Sequence, residues 1–289
     1  MFKSAFSAIL CILSFSICTQ GQQIGSVTIE FPSQGSQVHG RVFPAGGEAL
    51  RPTLLLVPGF PGNPNDVAGM GDSLSRLGIN VVMFNPRGMH ASEGSFSFEH
   101  TIEDIGAALR WLERDEVRQR FKIDPGKVTL GGHSYGGGMA MVYAAKDTRV
   151  RRLISISGAD TGETIRELQR NPASAEAMRK SLSGMLAQRG PVRMDNVETA
   201  FQEISKLENV YVLSENAANL ADRSILLIGA WEDVQVTVDQ TVLPFYRALK
   251  RSKAADVTFL VYHADHQFGA VRERLASDIR DWLMQQGGR

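Results

Sequence analysis

One serine of this chain lies in a setting that favours nucleophilic chemistry. The segment GHSYG, residues 132–136, follows a short apolar run and precedes a helical stretch, with Ser134 at its centre. A serine between a strand and a helix sits in a sharp turn, where flanking glycines remove clashing Cβ atoms. Its hydroxyl then projects above the sheet, beside the next amide at a helix N-terminus. This context predicts an exposed nucleophile rather than an inert serine in a glycine-rich turn.

Metal and nucleotide chemistry have no comparable support in the sequence. No pair of the six histidines has the spacing of metal ligands. No G-x-G-x-x-G follows the first strand and no Walker motif is present, so nucleotide cofactors are unsupported. We therefore expect neither a metal nor a cofactor.

Alternating strands and helices must position this serine. An edge hairpin is predicted at residues 27–31 and 37–43. Six further apolar runs suit strands that are covered on both faces, namely residues 53–57, 80–84, 127–130, 153–157, 224–228 and 257–262. Helical stretches lie between or after them, at residues 66–77, 100–120, 135–146, 236–250 and 271–285. The alternation predicts an α/β fold with a doubly wound, mostly parallel sheet.

One segment interrupts this alternation. Residues from about 162 to 209 contain no strand-like run, only amphipathic helical pattern that begins with Ile165 and Leu168. An insertion of roughly forty to sixty residues is about tenfold longer than the usual connection. Two interpretations stay open: a helical cap over a pocket, or a surface decoration remote from any site.

Together these motifs resemble the α/β-hydrolase family over almost all of residues 23–289. Four segments are similar to family features in the family's order: LLLVPGFPG (54–62) to the oxyanion loop, NPRGMHASEG (85–94) to the arginine–glycine loop, SILLIGAWED (224–233) to the acid-bearing strand, and HADHQF (263–268) to the histidine loop. The dienelactone hydrolase and prolyl-oligopeptidase-like branch is the most similar. Departures are Pro58 where many relatives have histidine, and Asn85 and His90 where aspartate and glycine are usual.

The resemblance implies a role for specific residues. The family order of nucleophile, acid and base is met by Ser134, Asp233 and His266. The backbone amides of Phe60 and Tyr135 would form the oxyanion hole. A histidine base would activate the serine, and the aspartate would orient the imidazole.

Neighbouring residues leave alternatives for these roles. Asp160, after the run at 153–157, and Glu232 are alternative acids, and His263 is an alternative base. His90 and His133 are candidate substrate-pocket residues, the first because its loop lies near the opening of family active sites.

The net charge argues against one class of partner, and the length shows that the chain can bury a core. The 289 residues include 31 Lys+Arg and 31 Asp+Glu, so the formal net charge is zero. No basic excess remains to neutralise phosphates, which argues against a nucleic-acid partner. The chain is long enough to bury a core without metals or disulfides.

The N-terminus predicts export. Residues 1–22 combine Lys3 with an apolar run at 5–17 and small residues, which is the layout of a signal peptide. The run is too short to span a bilayer, so we expect no stable membrane anchor after cleavage. Both cysteines, Cys11 and Cys18, would be removed, leaving a mature chain without disulfides or a thiol nucleophile. The expected location is periplasmic or secreted.

These observations lead to one main hypothesis and two alternatives. We expect an exported serine hydrolase that cleaves a small-molecule ester through an acyl-enzyme. The second hypothesis is an aminopeptidase or dipeptidyl-peptidase-like amide hydrolase of short peptides, with Glu93 or Glu163 holding the substrate ammonium. The third is a non-catalytic binding protein of the same fold. The acyl group, leaving group and oligomeric state are left unassigned.

Overall fold

The computed structural model describes residues 25–187, 190–198, 201 and 208–285. The predicted signal peptide at 1–22 lies outside the described residues. Within them, every helix is too short or too polar to cross a membrane.

A single eight-stranded sheet organises the described residues. Its strands are β1 (Val27–Ser33), β2 (Ser36–Phe43), β3 (Arg51–Val57), β4 (Asn80–Phe84), β5 (Ile123–His133), β6 (Arg152–Ile156), β7 (Ser224–Ala230) and β8 (Asp256–Tyr262). They are ordered β1-β2-β4-β3-β5-β6-β7-β8. Strands β3 to β8 run parallel, whereas the β1–β2 hairpin joins β4 in antiparallel orientation. The predicted mostly parallel sheet and its edge hairpin are confirmed.

Helices cover both faces of this sheet. Those described are α1 (Met70–Arg76), α2 (Phe98–Leu112), α3 (Asp115–Phe121), α4 (Tyr135–Lys146), α5 (Thr161–Arg170), α6 (Pro172–Ala187), α7 (Glu208–Tyr211), α8 (Leu213–Asn216), α9 (Leu243–Arg251) and α10 (Arg272–Gln285). Because side chains alternate along a strand, Leu54 and Leu56 of β3 join the core under α1 and α10. Leu55 and Val57 join the opposite core under α2, α4 and α9. Two apolar layers thus bury β3 completely, as its unbroken apolar run requires.

The predicted helix at 100–120 is two helices instead. Ser97 caps α2 by accepting a hydrogen bond from the amide of His100 at 3.0 Å. The backbone of Arg114 is extended (φ −67°, ψ 136°), which separates α2 from α3. Both helices bury their apolar side chains, among them Ile105 and Phe121, in the same core. Periodicity therefore continues across the break and did not reveal it.

The described part of the insertion after β6 contains helices and one extended stretch. Helices α5 to α8 precede β7. Between α6 and α7, Val192 forms an antiparallel bridge with Met89 of the loop after β4. Arg193 continues this pairing, since its amide donates to the Gly88 carbonyl at 2.6 Å and its carbonyl accepts from the Phe96 amide at 2.7 Å. The insertion is therefore attached to the body at a point well inside its own length.

Candidate active site

Ser134 occupies a sharp turn between β5 and α4. Its backbone has φ 56° and ψ −126°, outside the regions that most residues adopt. A Cβ atom on Gly132 would lie 2.2 Å from the Gly136 carbonyl oxygen, and one on Gly136 would lie 2.3 Å from the Val57 oxygen. Both positions therefore require glycine. A residue with a side chain would therefore clash two positions before the serine, within the turn, and two positions after it, against β3.

His266 and Asp233 meet at the carboxyl ends of β8 and β7. These strands are paired to their last residues, Ala230 opposite Tyr262, so the loops that follow leave the sheet side by side. The Nδ1 of His266 donates to Oδ2 of Asp233 at 2.6 Å. Both side chains are buried. Because Nδ1 carries the hydrogen in this contact, Nε2 of the neutral ring has a free lone pair. This is the tautomer that a general base needs.

The Asp233 carboxylate has a full set of donors. Its Oδ1 accepts the amides of Gln235 and Val236, each at 2.8 Å. Burial disfavours its charge, but the hydrogen bonds from His266 and from these amides outweigh burial and hold the pKa of Asp233 below its usual value. The carboxylate is therefore ionised and able to stabilise an imidazolium beside it.

The alternative base and one alternative acid pair with each other instead. His263 Nδ1 lies 3.1 Å from Glu232 Oε1. The His263 side chain is 85% exposed, so this contact lies at the surface. Glu232 and Asp233 are consecutive, and their side chains bind different histidines.

Asp160, the other alternative acid, binds two backbone amides of the insertion. Its Oδ1 caps α5 by accepting the Glu163 amide at 3.0 Å, and its Oδ2 accepts the Leu213 amide at 3.0 Å. Burial raises its pKa to about 6. These contacts link the start of α5 to the start of α8.

The expected oxyanion amides flank Ser134. Phe60 lies in a tight turn closed by the Gly62 amide on the Gly59 carbonyl at 2.7 Å. A Cβ on Gly59 would lie 3.1 Å from Ser134 Cβ, so this turn passes directly beside the serine. Tyr135 is the first residue of α4, where the amide has no acceptor within the helix. Phe60 thus lies on the turn that passes beside Ser134, and Tyr135 lies at the start of the helix that follows it.

His133, a predicted substrate-pocket residue, contacts the main chain of His266. Its ring is buried, and its Nε2 lies 2.8 Å from the His266 carbonyl oxygen. Because a carbonyl only accepts, Nε2 carries the hydrogen. Burial lowers the pKa of His133 to about 4, so the ring is neutral near pH 7. His133 thus holds the main chain of His266, and its predicted role in the substrate pocket stays a prediction.

His90 also lies apart from the large cavity described below. A Cβ on Gly62 would lie 2.9 Å from His90 Cδ2, which places the ring against the turn after β3. His90 lines a separate cavity of about 190 Å³ with His39 and Asn85. Burial lowers the pKa of His90. Its predicted contact with substrate stays a prediction.

An ion pair that the sequence did not predict supports the neighbouring loop. Arg87 Nε donates to Asp104 Oδ1 at 2.7 Å, and Ser33 donates to the same oxygen at 2.6 Å. Asp104 is fully buried on α2. A carboxylate within the apolar period of that helix, next to Ile105, was the signal that could have revealed it.

A large cavity lies between the serine turn and the insertion. Its volume is about 880 Å³, within the usual range for small-molecule sites. Most of its lining side chains are apolar, and the lining comprises Phe60, Phe96, Phe98, Tyr135, Ala159, Thr161, Thr164, Ile165, Leu168, Gln169, Pro172, Ala175, Met178, Arg179, Leu182, Met194, Glu198 and Phe201. Core residues beside Ser134 and helices α5 and α6 thus share one cavity.

Metal ligation has no candidate among the described residues. No group of three or more histidine, cysteine or acidic side chains there is arranged to hold an ion.

Comparisons with known proteins agree with the fold. A family model described as alpha/beta hydrolase fold matches residues 52–193. The structure is similar to Est1E from Butyrivibrio proteoclasticus with bound ferulic acid, with a TM-score of 0.66 and 13% identity, covering 90% of this chain and 100% of that chain. It is also similar to the alpha/beta hydrolase GrgF from a Penicillium species, with a TM-score of 0.63 and 18% identity, covering 91% and 99%.

Curated relatives match over a shorter stretch. The thiohydrolase aneE of Aspergillus aculeatus is 34% identical over 127 residues, which are 42% of this chain and 38% of that protein. A proline iminopeptidase of Saccharolobus solfataricus is 31% identical over 125 residues, 40% of this chain and 37% of that protein. The chain thus spans less than two-fifths of the length of either relative.

Proposed function

Because this chain belongs to the α/β-hydrolase superfamily, we propose that it is a serine hydrolase that cleaves esters. The observation that carries the proposal is the buried 2.6 Å contact between His266 and Asp233, on the loops that follow adjacent parallel strands. Ser134 lies at the same edge of the sheet, at the end of β5. The proposal takes Ser134 as the nucleophile, His266 as the base and Asp233 as the acid.

The first half of the reaction forms an acyl-enzyme. His266 Nε2 removes the proton from Ser134 Oγ as that oxygen attacks the ester carbonyl carbon. The resulting imidazolium is stabilised by the Asp233 carboxylate. When the tetrahedral intermediate collapses, the bond to the alcohol oxygen breaks, and His266 returns its proton to that oxygen.

Water completes the second half. His266 takes a proton from a water molecule, whose oxygen attacks the acyl carbon bonded to Ser134. The acyl–serine bond breaks, the proton returns to Ser134 Oγ, and a carboxylic acid leaves. In both halves the amides of Phe60 and Tyr135 would bind the oxyanion, each contributing about 2.7–4 kcal/mol.

Cleavage of peptides that have a free N-terminus has less support. Glu93, one candidate for binding a substrate ammonium, accepts the Gln37 amide at 2.7 Å. Glu163, the other, pairs with Arg166 at 2.7 Å. Neither side chain belongs to the described lining of the 880 Å³ cavity. The placement of both carboxylates therefore favours the ester hypothesis over an aminopeptidase.

Export remains part of the proposal and depends on residues 1–22 alone. The layout of that segment is typical of a cleaved signal peptide. N-terminal sequencing of the protein recovered after expression in a bacterium should give a start near Gln22, in the periplasm or the medium. A chain that retains Met1 in the cytoplasm would overturn this part without affecting the chemistry.

A fluorophosphonate probe tests the mechanism directly. The wild type should be labelled on the peptide that contains Ser134 and should hydrolyse p-nitrophenyl esters. Ser134→Ala should abolish labelling and lower turnover by about 10⁴ to 10⁶. Ser181→Ala, at an exposed serine of α6, serves as the matched control and should behave as wild type.

The outcome separates the three hypotheses. Labelling with hydrolysis of esters but not of aminoacyl anilides supports the esterase. A preference for the anilides would favour the peptidase. A folded wild type that is neither labelled nor active would indicate a binding protein, and a folded Ser134→Ala that retains turnover would contradict the mechanism.

A further inference from the structure

We propose, on the premise of the proposed function, that this enzyme selects its substrates by a large apolar acyl group. The acyl group would occupy the 880 Å³ cavity between the core and helices α5 and α6. The alcohol would lie on the opposite side of the serine and would be selected weakly. Substrates are thus esters of hydrophobic carboxylic acids.

The orientation follows from the geometry of the tetrahedral intermediate. Its oxyanion must face the amides of Phe60 and Tyr135, and the side chains of both residues line the cavity. The leaving oxygen must instead face His266, which gives it a proton. The described lining includes no residue from the acid loop 231–236 or the histidine loop 263–268. The cavity therefore lies on the acyl side of the scissile bond.

The acid loop and the histidine loop carry exposed side chains. On the acid loop, Trp231 is 52% exposed and Val234 is 89% exposed. On the histidine loop, the His263 side chain is 85% exposed. An alcohol that departs past these residues meets water rather than a closed pocket. We therefore expect little discrimination between alcohols.

The charges at the cavity favour an uncharged acyl group. The described lining has two charged residues, Arg179 and Glu198, and they pair at 2.9 Å. Arg179 also lies 4.6 Å above the ring of Phe201. With these charges satisfied by each other, a carboxylate or ammonium on the acyl chain would lose its hydration without a free partner.

Two ester series test the assignment in the full-length protein. The first keeps the p-nitrophenyl leaving group and extends the acyl chain from acetate to octanoate. The second keeps octanoate and varies the alcohol among methanol, butanol and cyclohexanol, followed by pH-stat. Each fully buried methylene is expected to raise kcat/KM by up to about fourfold. We expect at least a tenfold rise along the acyl series and less than threefold spread among the alcohols.

Two alanines of α6 provide a matched pair of variants. Ala175 is buried and lines the cavity, whereas Ala177 is exposed and does not. Ala175→Trp should remove the gain from long acyl chains, so that the ratio of kcat/KM for octanoate to kcat/KM for acetate falls well below the wild-type ratio. Ala177→Trp should keep the wild-type profile. If Ala175→Trp fails to fold, Leu168→Trp, at a partly exposed lining position, fills the same cavity and should have the same effect.

Each result supports or overturns the proposal. A flat or falling acyl series in an active enzyme would overturn it, as would a wider spread among the alcohols than among the acyl groups. Equal profiles for folded Ala175→Trp, Leu168→Trp and Ala177→Trp would also overturn it. In those cases Ser134 is still labelled and the proposed function stands. A folded wild type that is neither labelled at Ser134 nor active on any ester would refute both this proposal and the proposed function.

Discussion

Replacing His133 by phenylalanine tests how the main chain of the base is held. The imidazole Nε2 donates to the His266 carbonyl at 2.8 Å, and the two ring centroids are 4.7 Å apart. Phenylalanine keeps an aromatic ring of similar shape in this buried position and removes the donor. The carbonyl of His266 is then left without this hydrogen bond next to the reacting group.

The size of the effect follows from that carbonyl. An unpaired buried polar group costs about 1–3 kcal/mol, and about 1.4 kcal/mol corresponds to a factor of ten. If His266 moves so that its carbonyl regains a hydrogen bond, returning the imidazole to its catalytic position costs this free energy. In that case kcat should fall about fivefold to 150-fold. His133 does not line the cavity, so KM should change by less than about twofold.

Two amides provide matched controls. The side-chain nitrogen of His133→Gln reaches the place of Nε2 and can donate to the same carbonyl. That of His133→Asn reaches only the place of Nδ1. We therefore expect His133→Gln to recover most of kcat and His133→Asn to resemble His133→Phe. The assay is kcat and KM on one p-nitrophenyl ester, with thermal unfolding to show that each variant is folded.

Stability against pH gives an independent measurement of the same residue. Burial lowers the pKa of His133 to about 4, so the folded state holds it neutral while the unfolded chain binds a proton below about 6.5. The contribution of neutral His133 to the free energy of unfolding is fully present above about pH 6.5 and is lost as the pH falls towards 4. Relative to His133→Phe, the wild type should lose on the order of 3 kcal/mol across this window.

Three results would refute this reasoning about His133. One is a folded His133→Phe with wild-type kcat. Another is an equal loss of kcat in the glutamine, asparagine and phenylalanine variants. The third is a pH dependence of unfolding that does not change when the imidazole is removed.

Further predictions concern the other residues of the site. Asp233→Asn should lower kcat by about 10⁴ with a small change in KM, whereas Asp160→Asn should stay within tenfold; the reverse ranking in steady-state assays would move the acid. Burial raises the Asp160 pKa to about 6, so protonated Asp160 stabilises the folded state at low pH. This contribution to the free energy of unfolding is lost as the pH rises from about 4 to 6. Urea unfolding should therefore show the wild type losing stability relative to Asp160→Asn across this range. His266→Ala should abolish phosphonate labelling and His263→Ala should retain it; equal labelling of both would contradict the choice of base. Gly136→Ala places a Cβ 2.3 Å from a β3 carbonyl oxygen and should destabilise the fold by about 1–3 kcal/mol while lowering kcat; unchanged stability would show that the turn can relax.

Much of the fold could be predicted because its signals are local. Each central strand contains a short apolar run, since both faces of a parallel sheet are covered. The break between α2 and α3 was not predictable, because both helices pack on one core and keep one period across Arg114. The attachment of Val192 to Met89 was also missed. A single bridge between residues far apart in the chain leaves no periodic pattern.

The sequence by itself determined the turn at Ser134. Its two glycines and its place between a strand and a helix are properties of consecutive residues, and a Cβ on Gly132 would clash with Gly136 inside the same segment. The family order of acid and base then reduced the remaining roles to a few neighbouring candidates. The exclusion of a Cβ at Gly136 also depends on Val57 of β3, which the fold brings beside the turn.

Only the tertiary structure decided which neighbours meet. Asp233 reaches His266, while Glu232, one residue earlier, reaches the exposed His263. His133 contacts a carbonyl that is 133 residues away. These choices depend on the register of β7 with β8 and of β5 with its neighbours, because the strand ends set where each loop begins. Register is a property of paired strands, and no single segment of the chain contains it.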